Sequence, residues 1–305
     1  MRDPHSLYEL TPAAHDVPLG LPLVAGLTGF ADAGGVVTQL GDYLADVLEL
    51  AELAVFDNDE LLDYRARRPT ILFDEDHLAE YTPPSLTLSL GRDELGANFL
   101  LLSGYEPDFQ WESFSRAILG FIDRYEVAST TWVHAIPMPV PHTRPVQVTV
   151  SGNREDLIEQ MSIWKPRTQA PANLLHLVEW KLQDAGAPVT GFVALVPHYL
   201  SDTEFPAAAV TAIESISAAT GLIFPTERLR EEGRTFLGKV DSQVENNEEL
   251  RRLVATLEER HDAYVAGNPL PSPLTDESGD LPSADEIAAE LEKFLAGRRG
   301  DDDPR

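Results

Sequence analysis

The chain of 305 residues contains no cysteine, which excludes disulfides, thiolate nucleophiles and cysteine-based zinc sites. It is also short of cations. Against 51 Asp and Glu stand only 23 Lys and Arg, a formal charge of −28, and a surface with that balance repels polyanions. Neither nucleic acid nor an anionic membrane is an expected partner. Long hydrophobic runs are missing as well: nothing approaches the roughly 18 consecutive apolar residues of a membrane-spanning helix. Residues 1–20 carry Asp3, His5, Glu9 and Asp16, where a secretory signal needs a basic start and an unbroken apolar segment. A cytoplasmic protein is the expectation. What is present is ordinary, with 43% apolar residues, enough for a packed core and too many for a chain disordered throughout.

Short apolar runs of strand type alternate with helical periodicity. Residues 23–28 (Leu-Val-Ala-Gly-Leu-Thr) precede Val36, Val37, Leu40, Tyr43, Leu44, Val47 and Leu48, whose spacing lays one apolar stripe along a helix. Residues 54–56, 86–90 and 98–103 read as further strands, the last two joined by a connection short enough for an antiparallel pair. An amphipathic helix from Trp111 to Tyr125 leads to a strand at 130–134, and another strand follows at 146–150. A helix at 172–182 feeds a strand at 191–196, and Pro206 and Gly221 bracket a further helix. This alternation predicts an α/β domain with a mixed, largely parallel sheet flanked by helices. The expected organisation is an N-terminal arm (1–20), the α/β core (21–225), a helical extension (226–266), a Pro-, Ser- and acid-rich linker (267–282), a C-terminal helix (283–297) and a disordered tail (298–305). Ser283 and Glu286 have capping-box spacing, and the apolar face of Ile287, Leu291, Phe294 and Leu295 needs a partner.

Ligands of open α/β sheets bind beyond the carboxyl ends of the strands, which directs attention to the polar residues there. The loop holding Gly29, Asp32, Gly34 and Gly35 opens a helix, so its amides are candidates to hold an anion or a carbonyl oxygen. It lacks the Lys and Ser/Thr of a Walker loop and the dinucleotide fingerprint, and Asp32 disfavours phosphate. A tight turn for packing is the plainer reading. His134 and His198 are candidates for proton transfer, while His142, Thr143 and Arg144 suit a carboxylate or a partner. Glu106, Asp108 and Glu112 offer carboxylates, although exposed acids are expected by chance in so acidic a chain. No G-x-S-x-G elbow and no compact metal-ligand motif is present. No catalytic residue is assigned, the candidates being Asp32, Glu106, His134 and His198, and neither metal nor cofactor is expected. Arg65, Arg67 and Arg68 form the one dense basic cluster, fit to dock an acidic partner or to neutralise acids within or between subunits.

Taken together, the loop at 29–35, Tyr64-Arg-Ala-Arg-Arg-Pro69, Gly104-Tyr-Glu-Pro-Asp108 with Trp111 and Glu112, and Pro137-Met-Pro-Val-Pro-His-Thr-Arg-Pro145 resemble the proteasome assembly chaperone family in its actinobacterial branch. The resemblance spans about residues 20–260. It implies a fold similar to nucleoside phosphorylases and peptidyl hydrolases, a helical C-terminal extension, and self-association, with a trimer as one form. It also implies a non-enzymatic module whose partner is a protein, proteasome-related in the family's better-known members. Several of those carry a hydrophobic-Tyr-X tail that docks on the proteasome. Residues 300–305 read Gly-Asp-Asp-Asp-Pro-Arg, so docking by that route is not expected. The alternative is an enzyme or small-molecule binder of hydrolase or phosphorylase type, using the polar cluster at the strand ends.

Overall fold

The computed structural model describes residues 3–165 and 167–267. The expected linker beyond Gly267, the helix at 283–297 and the tail at 298–305 lie outside the described residues. In chain order the elements are β1 (Tyr8–Leu10), β2 (Pro22–Thr28), α1 (Val36–Val47), β3 (Leu50–Phe56), α2 (Asn58–Leu61), β4 (Thr70–Asp74), β5 (His77–Thr82), β6 (Leu86–Arg92), β7 (Asn98–Tyr105), α3 (Trp111–Arg124), β8 (Ser129–Met138), β9 (Gln147–Gly152), α4 (Glu155–Met161), α5 (Leu174–Asp184), β10 (Val189–Pro197), α6 (Pro206–Thr220), α7 (Glu227–Glu245) and α8 (Glu248–Val265).

Eight strands form one sheet in the order β1-β3-β6-β7-β2-β8-β10-β9. β2 lies parallel to both β7 and β8, while β6 pairs antiparallel with β7 and β9 with β10. The mixed, centrally parallel sheet expected from the alternation is therefore present. β2 is buried on both sides, which explains its unbroken apolar run. Its Leu23, Ala25 and Leu27 join Phe114, Ile118 and Phe121 of α3 and Leu174 and Val178 of α5 in one cluster. The opposite face is covered by α1 and α6, and the Cα of Gly26 looks onto Val37 and Leu40. Each large side chain fully buried in this way contributes about 1.5–3 kcal/mol.

Pro206 opens α6, and Gly221 closes it at φ +75°, both as the sequence implies. The helical excursion after residue 225 is interrupted once. Asn247 leaves the helix at φ −130° and accepts from the amides of Glu249 and Leu250, so α8 starts afresh behind its own cap. β4 and β5 form a separate two-stranded hairpin that the sequence reading did not anticipate. No helix among the described residues is long and apolar enough to cross a membrane.

The described residues fall into two compact units. One lies within Met1–Pro137 and Pro145–Val240, the other within Met138–Arg144 and Asp241–Arg305.

Candidate functional site

The chain leaves β2 toward β3 on one side and later returns to β8 on the other, so the sheet order switches at β2. A crevice at the carboxyl ends of the strands flanking such a point is where α/β sheets take ligands. Two helix N-termini, those of α1 and α5, are met by acidic side chains from the loops that follow these strands.

The first is α1. Asp32 Oδ1 accepts from the amide of Val37 at 2.7 Å, and Oδ2 accepts from the amide and hydroxyl of Thr38 at 2.9 and 2.7 Å. The chain's own carboxylate thus sits at the positive end of the helix. The loop can turn this tightly because Gly34 takes φ +69° with no Cβ; one would lie 3.0 Å from Cβ of Phe205 and 3.2 Å from Cγ1 of Val196. Gly34 also donates to Ser201 O and accepts from the Phe205 amide, each at 2.8 Å. The glycines that suggested an anion cradle therefore bring the helix close to the end of β10 and the start of α6.

The second is α5, where Asn173 and His176 form a reciprocal capping box. The Leu174 amide, outside that box, donates to Glu106 Oε1 at 2.5 Å. Glu106 follows β7 directly, is buried, and donates its own amide to Thr28 O at 2.7 Å. Gly29 packs against it so closely that a Cβ there would lie 2.2 Å from Glu106 Oε2 and 2.6 Å from Glu106 Cβ.

His134 lies one residue beyond Val133, which registers with Gly26 of β2. Strand alternation puts it on the face of Trp132, whose ring meets that of His176 edge-on at 4.9 Å. Burial lowers the His134 imidazole to about 4, helped by His176 and opposed by Asp32. Burial also lowers His176. Both rings are neutral at pH 7. On the same face Glu179 accepts from Trp132 Nε1 and Ser151 Oγ at 2.7 and 2.8 Å, and from Gln183 at 3.0 Å. Burial raises its carboxyl.

Of the basic cluster, Arg67 turns inward. It pairs with Asp108 at 2.6 Å, reaches Thr28 O at 3.4 Å and lies over the Tyr105 ring. Asp108 also accepts from the Asp63 amide, so Arg67 ties the segment before β4 to the end of β7. Arg65 and Arg68 remain exposed. Glu112 pairs with Lys181 at 2.5 Å, which holds its carboxyl below the usual range. His198 begins a short turn after β10, with its ring edge-on to Tyr199.

In the second unit, His142, Thr143 and Arg144 do contact carboxylates, and these belong to the same chain. His142 Nε2 meets Asp241 at 3.1 Å and Thr143 Oγ1 donates to Glu258 at 2.5 Å. Arg144 holds Asp262 with a two-pronged contact at 2.8 and 2.6 Å and takes Glu258 at 3.0 Å. The Arg144 guanidinium holds the Asp262 carboxyl well below the ordinary carboxylate range.

The structure thus places Asp32, Glu106 and His134 around β2, β7, β8 and their loops, and places His142 and Arg144 in the other unit. Sequence reasoning missed Asn173, His176 and Glu179. Only Asn173-Leu-Leu-His176, a capping-box spacing with His in the usual Glu/Gln place, carried a local signal for them. Among the described residues no group of three or more His, Asp or Glu is arranged to hold a metal ion.

Comparison with known proteins agrees with this architecture. The sequence profile of the PAC2 family matches residues 26–244. A Corynebacterium glutamicum protein of unknown function is 34% identical, with 85% of this chain and 98% of that one aligned at a TM-score of 0.82. A Mycobacterium tuberculosis protein of unknown function is 37% identical over 85% of this chain and 92% of that one, at 0.80. A second M. tuberculosis protein, a proteasome-assembly chaperone homologue, shares the fold at 23% identity over 77% of this chain and all of that one, at 0.69. Among curated proteins nothing matches. The chain belongs to the PAC2 family.

Proposed function

We propose that this chain is a non-enzymatic, oligomeric protein-binding or assembly module of chaperone type, acting in the cytoplasm on a protein partner related to the proteasome. One observation carries the reading: at the N-termini of α1 and α5 the amides of Val37 and Thr38 are engaged by Asp32 and that of Leu174 by Glu106. A phosphate or carboxylate ligand would have to displace a buried or helix-anchored acid and overcome its charge. Arg144, which also suits an anion, is likewise engaged within the chain. Family membership and the fold shared with a proteasome-assembly chaperone homologue favour a protein partner over a small molecule.

The test is affinity capture from the protein's own cells, with and without crosslinking, followed by native mass spectrometry. The expected result is a complex of fixed stoichiometry with a second protein, proteasome subunits being the first to look for. Recovery of the chain alone under both conditions would remove this reading. Recovery with a tightly held small molecule and no second protein would favour the hydrolase- or phosphorylase-like alternative.

A further inference from the structure

Outside the amides that Asp32 and Glu106 hold, the rim at the strand ends leaves two aromatic rings in water. Phe30, two residues past the end of β2, is 70% exposed, and Phe109, four residues past the end of β7, is 50% exposed. Single exposed apolar residues are ordinary, but two large rings on adjoining strand ends are not scattered. β2 and β7 run parallel as hydrogen-bonded neighbours up to the pair Thr28 and Tyr105. The two chains stay together beyond that pair, because the Glu106 amide donates to Thr28 O and Gly29 leaves no room for a Cβ beside Glu106. Both rings therefore belong to one stretch of surface.

The arginine segment is fastened to the same place. Arg67 reaches Thr28 O at 3.4 Å and Asp108 at 2.6 Å, so its guanidinium bridges the two stretches that lead to Phe30 and Phe109. Its neighbours Arg65 and Arg68 are exposed, and among the described residues neither forms an ion pair. The acids of these segments are already engaged. Asp57 accepts from the Asp59 amide, Asp59 from the Tyr64 hydroxyl, Glu60 from the Gln110 side chain and Asp63 from the Arg65 amide. Asp108 takes both Arg67 and the Asp63 amide. The charge left uncommitted here is positive, on a chain whose formal charge is −28. Exposed aromatic anchors beside two open guanidinium forks suit a peptide with a large apolar side chain flanked by carboxylates. A basic segment would instead meet Arg65 and Arg68 with like charge. We infer that Phe30, Phe109, Arg65 and Arg68 dock an acidic, extended segment of a partner protein, with its apolar side chain on the rings and its carboxylates on the guanidiniums. The inference rests on the protein-binding function proposed above and names the chemistry of the partner.

Fluorescence anisotropy of a labelled peptide, Gly-Asp-Glu-Phe-Asp-Glu-Leu-Gly, titrated with the full chain tests it, with circular dichroism to check that each variant is folded. Wild type is expected to bind saturably, with a Kd below about 1 mM. Phe30→Ala with Phe109→Ala is expected to weaken binding at least about tenfold. Arg65→Glu with Arg68→Glu is expected to weaken it about tenfold at low salt and to flatten its salt dependence. A peptide with Lys at every acidic position should not bind. No saturable binding of the acidic peptide, equal binding by wild type and both variants, or equal binding of the lysine peptide would each overturn the inference. Sedimentation velocity checks for a second copy as the occupant: loss of self-association in the double-alanine variant, with peptide binding unchanged, would overturn it too. Failure here is distinct from failure of the proposed function. A second protein captured from cells equally well by wild type and both variants would leave that function standing and overturn this surface.

Discussion

Gly29→Ala is expected to destabilise the fold by about 3 kcal/mol, a large effect for one methyl group beside the surface. The new carbon would lie 2.2 Å from Glu106 Oε2 and 2.6 Å from Glu106 Cβ. Glu106 has little freedom to yield, because its carboxylate holds the Leu174 amide and its backbone amide holds Thr28 O. Expelling it leaves a buried helix-end donor without an acceptor, which by itself costs about 1–3 kcal/mol. Urea unfolding measures the change. Alanine at 106 would keep the offending Cβ, so the informative second change is Glu106→Gly. The double variant is expected to lose at least about 1 kcal/mol less than the sum of the two single losses, because the clash and the lost cap are one event. A cost below about 0.5 kcal/mol for Gly29→Ala would mean that Glu106 is not held where its contacts place it.

Acid sensitivity is the second large expected effect. His134 titrates at about 4 in the folded protein and near 6.5 when unfolded. The unfolded chain therefore binds the extra proton between those values. The stabilising contribution is complete above pH 6.5 and is lost as pH falls through 4. The loss amounts to about 3 kcal/mol, at 1.36 kcal/mol for each pH unit of separation. Burial of His176 acts in the same direction. Glu179 acts in the opposite direction: its raised carboxyl keeps a proton longer when folded, so its contribution falls as pH rises past the ordinary glutamate value. The difference between wild type and His134→Gln isolates the histidine, and the variant is expected to lose the histidine's own share, about 3 kcal/mol, of the fall in stability between pH 6.5 and 4. An imidazole resonance of His134 titrating near 6.5 would refute this.

How far the sequence could be read depended on whether a residue's partner was local. β2 and α1 were visible because burial on both faces gives a strand an unbroken apolar run and burial on one face gives a helix a stripe. The ends of α6 were visible because Pro206 and Gly221 act through their own backbone. The carboxylate-binding chemistry of Arg144 was legible too, but its ligands, Glu258 and Asp262, are more than a hundred residues away. Glu106 is likewise joined to an amide 68 positions along the chain. The sequence reads Asp32 as unfavourable to phosphate, yet nothing in it shows the carboxylate bonded to the amides of Val37 and Thr38. The hairpin escaped notice for another reason. Its turn uses Glu75 at φ +49°, without the Gly or Asn that usually announces such a turn, and a bulge breaks its alternation.

The central claim is that the chain's own acids close the strand-end crevice, which leaves binding to its other surfaces. It is tested most directly by amide-resolved NMR of the wild-type chain titrated with inorganic phosphate. The amides of Val37, Thr38 and Leu174 should show no saturable shift, because Asp32 and Glu106 already hold them. Saturable shifts centred on those three amides would show that the crevice accepts an anion and would contradict the account.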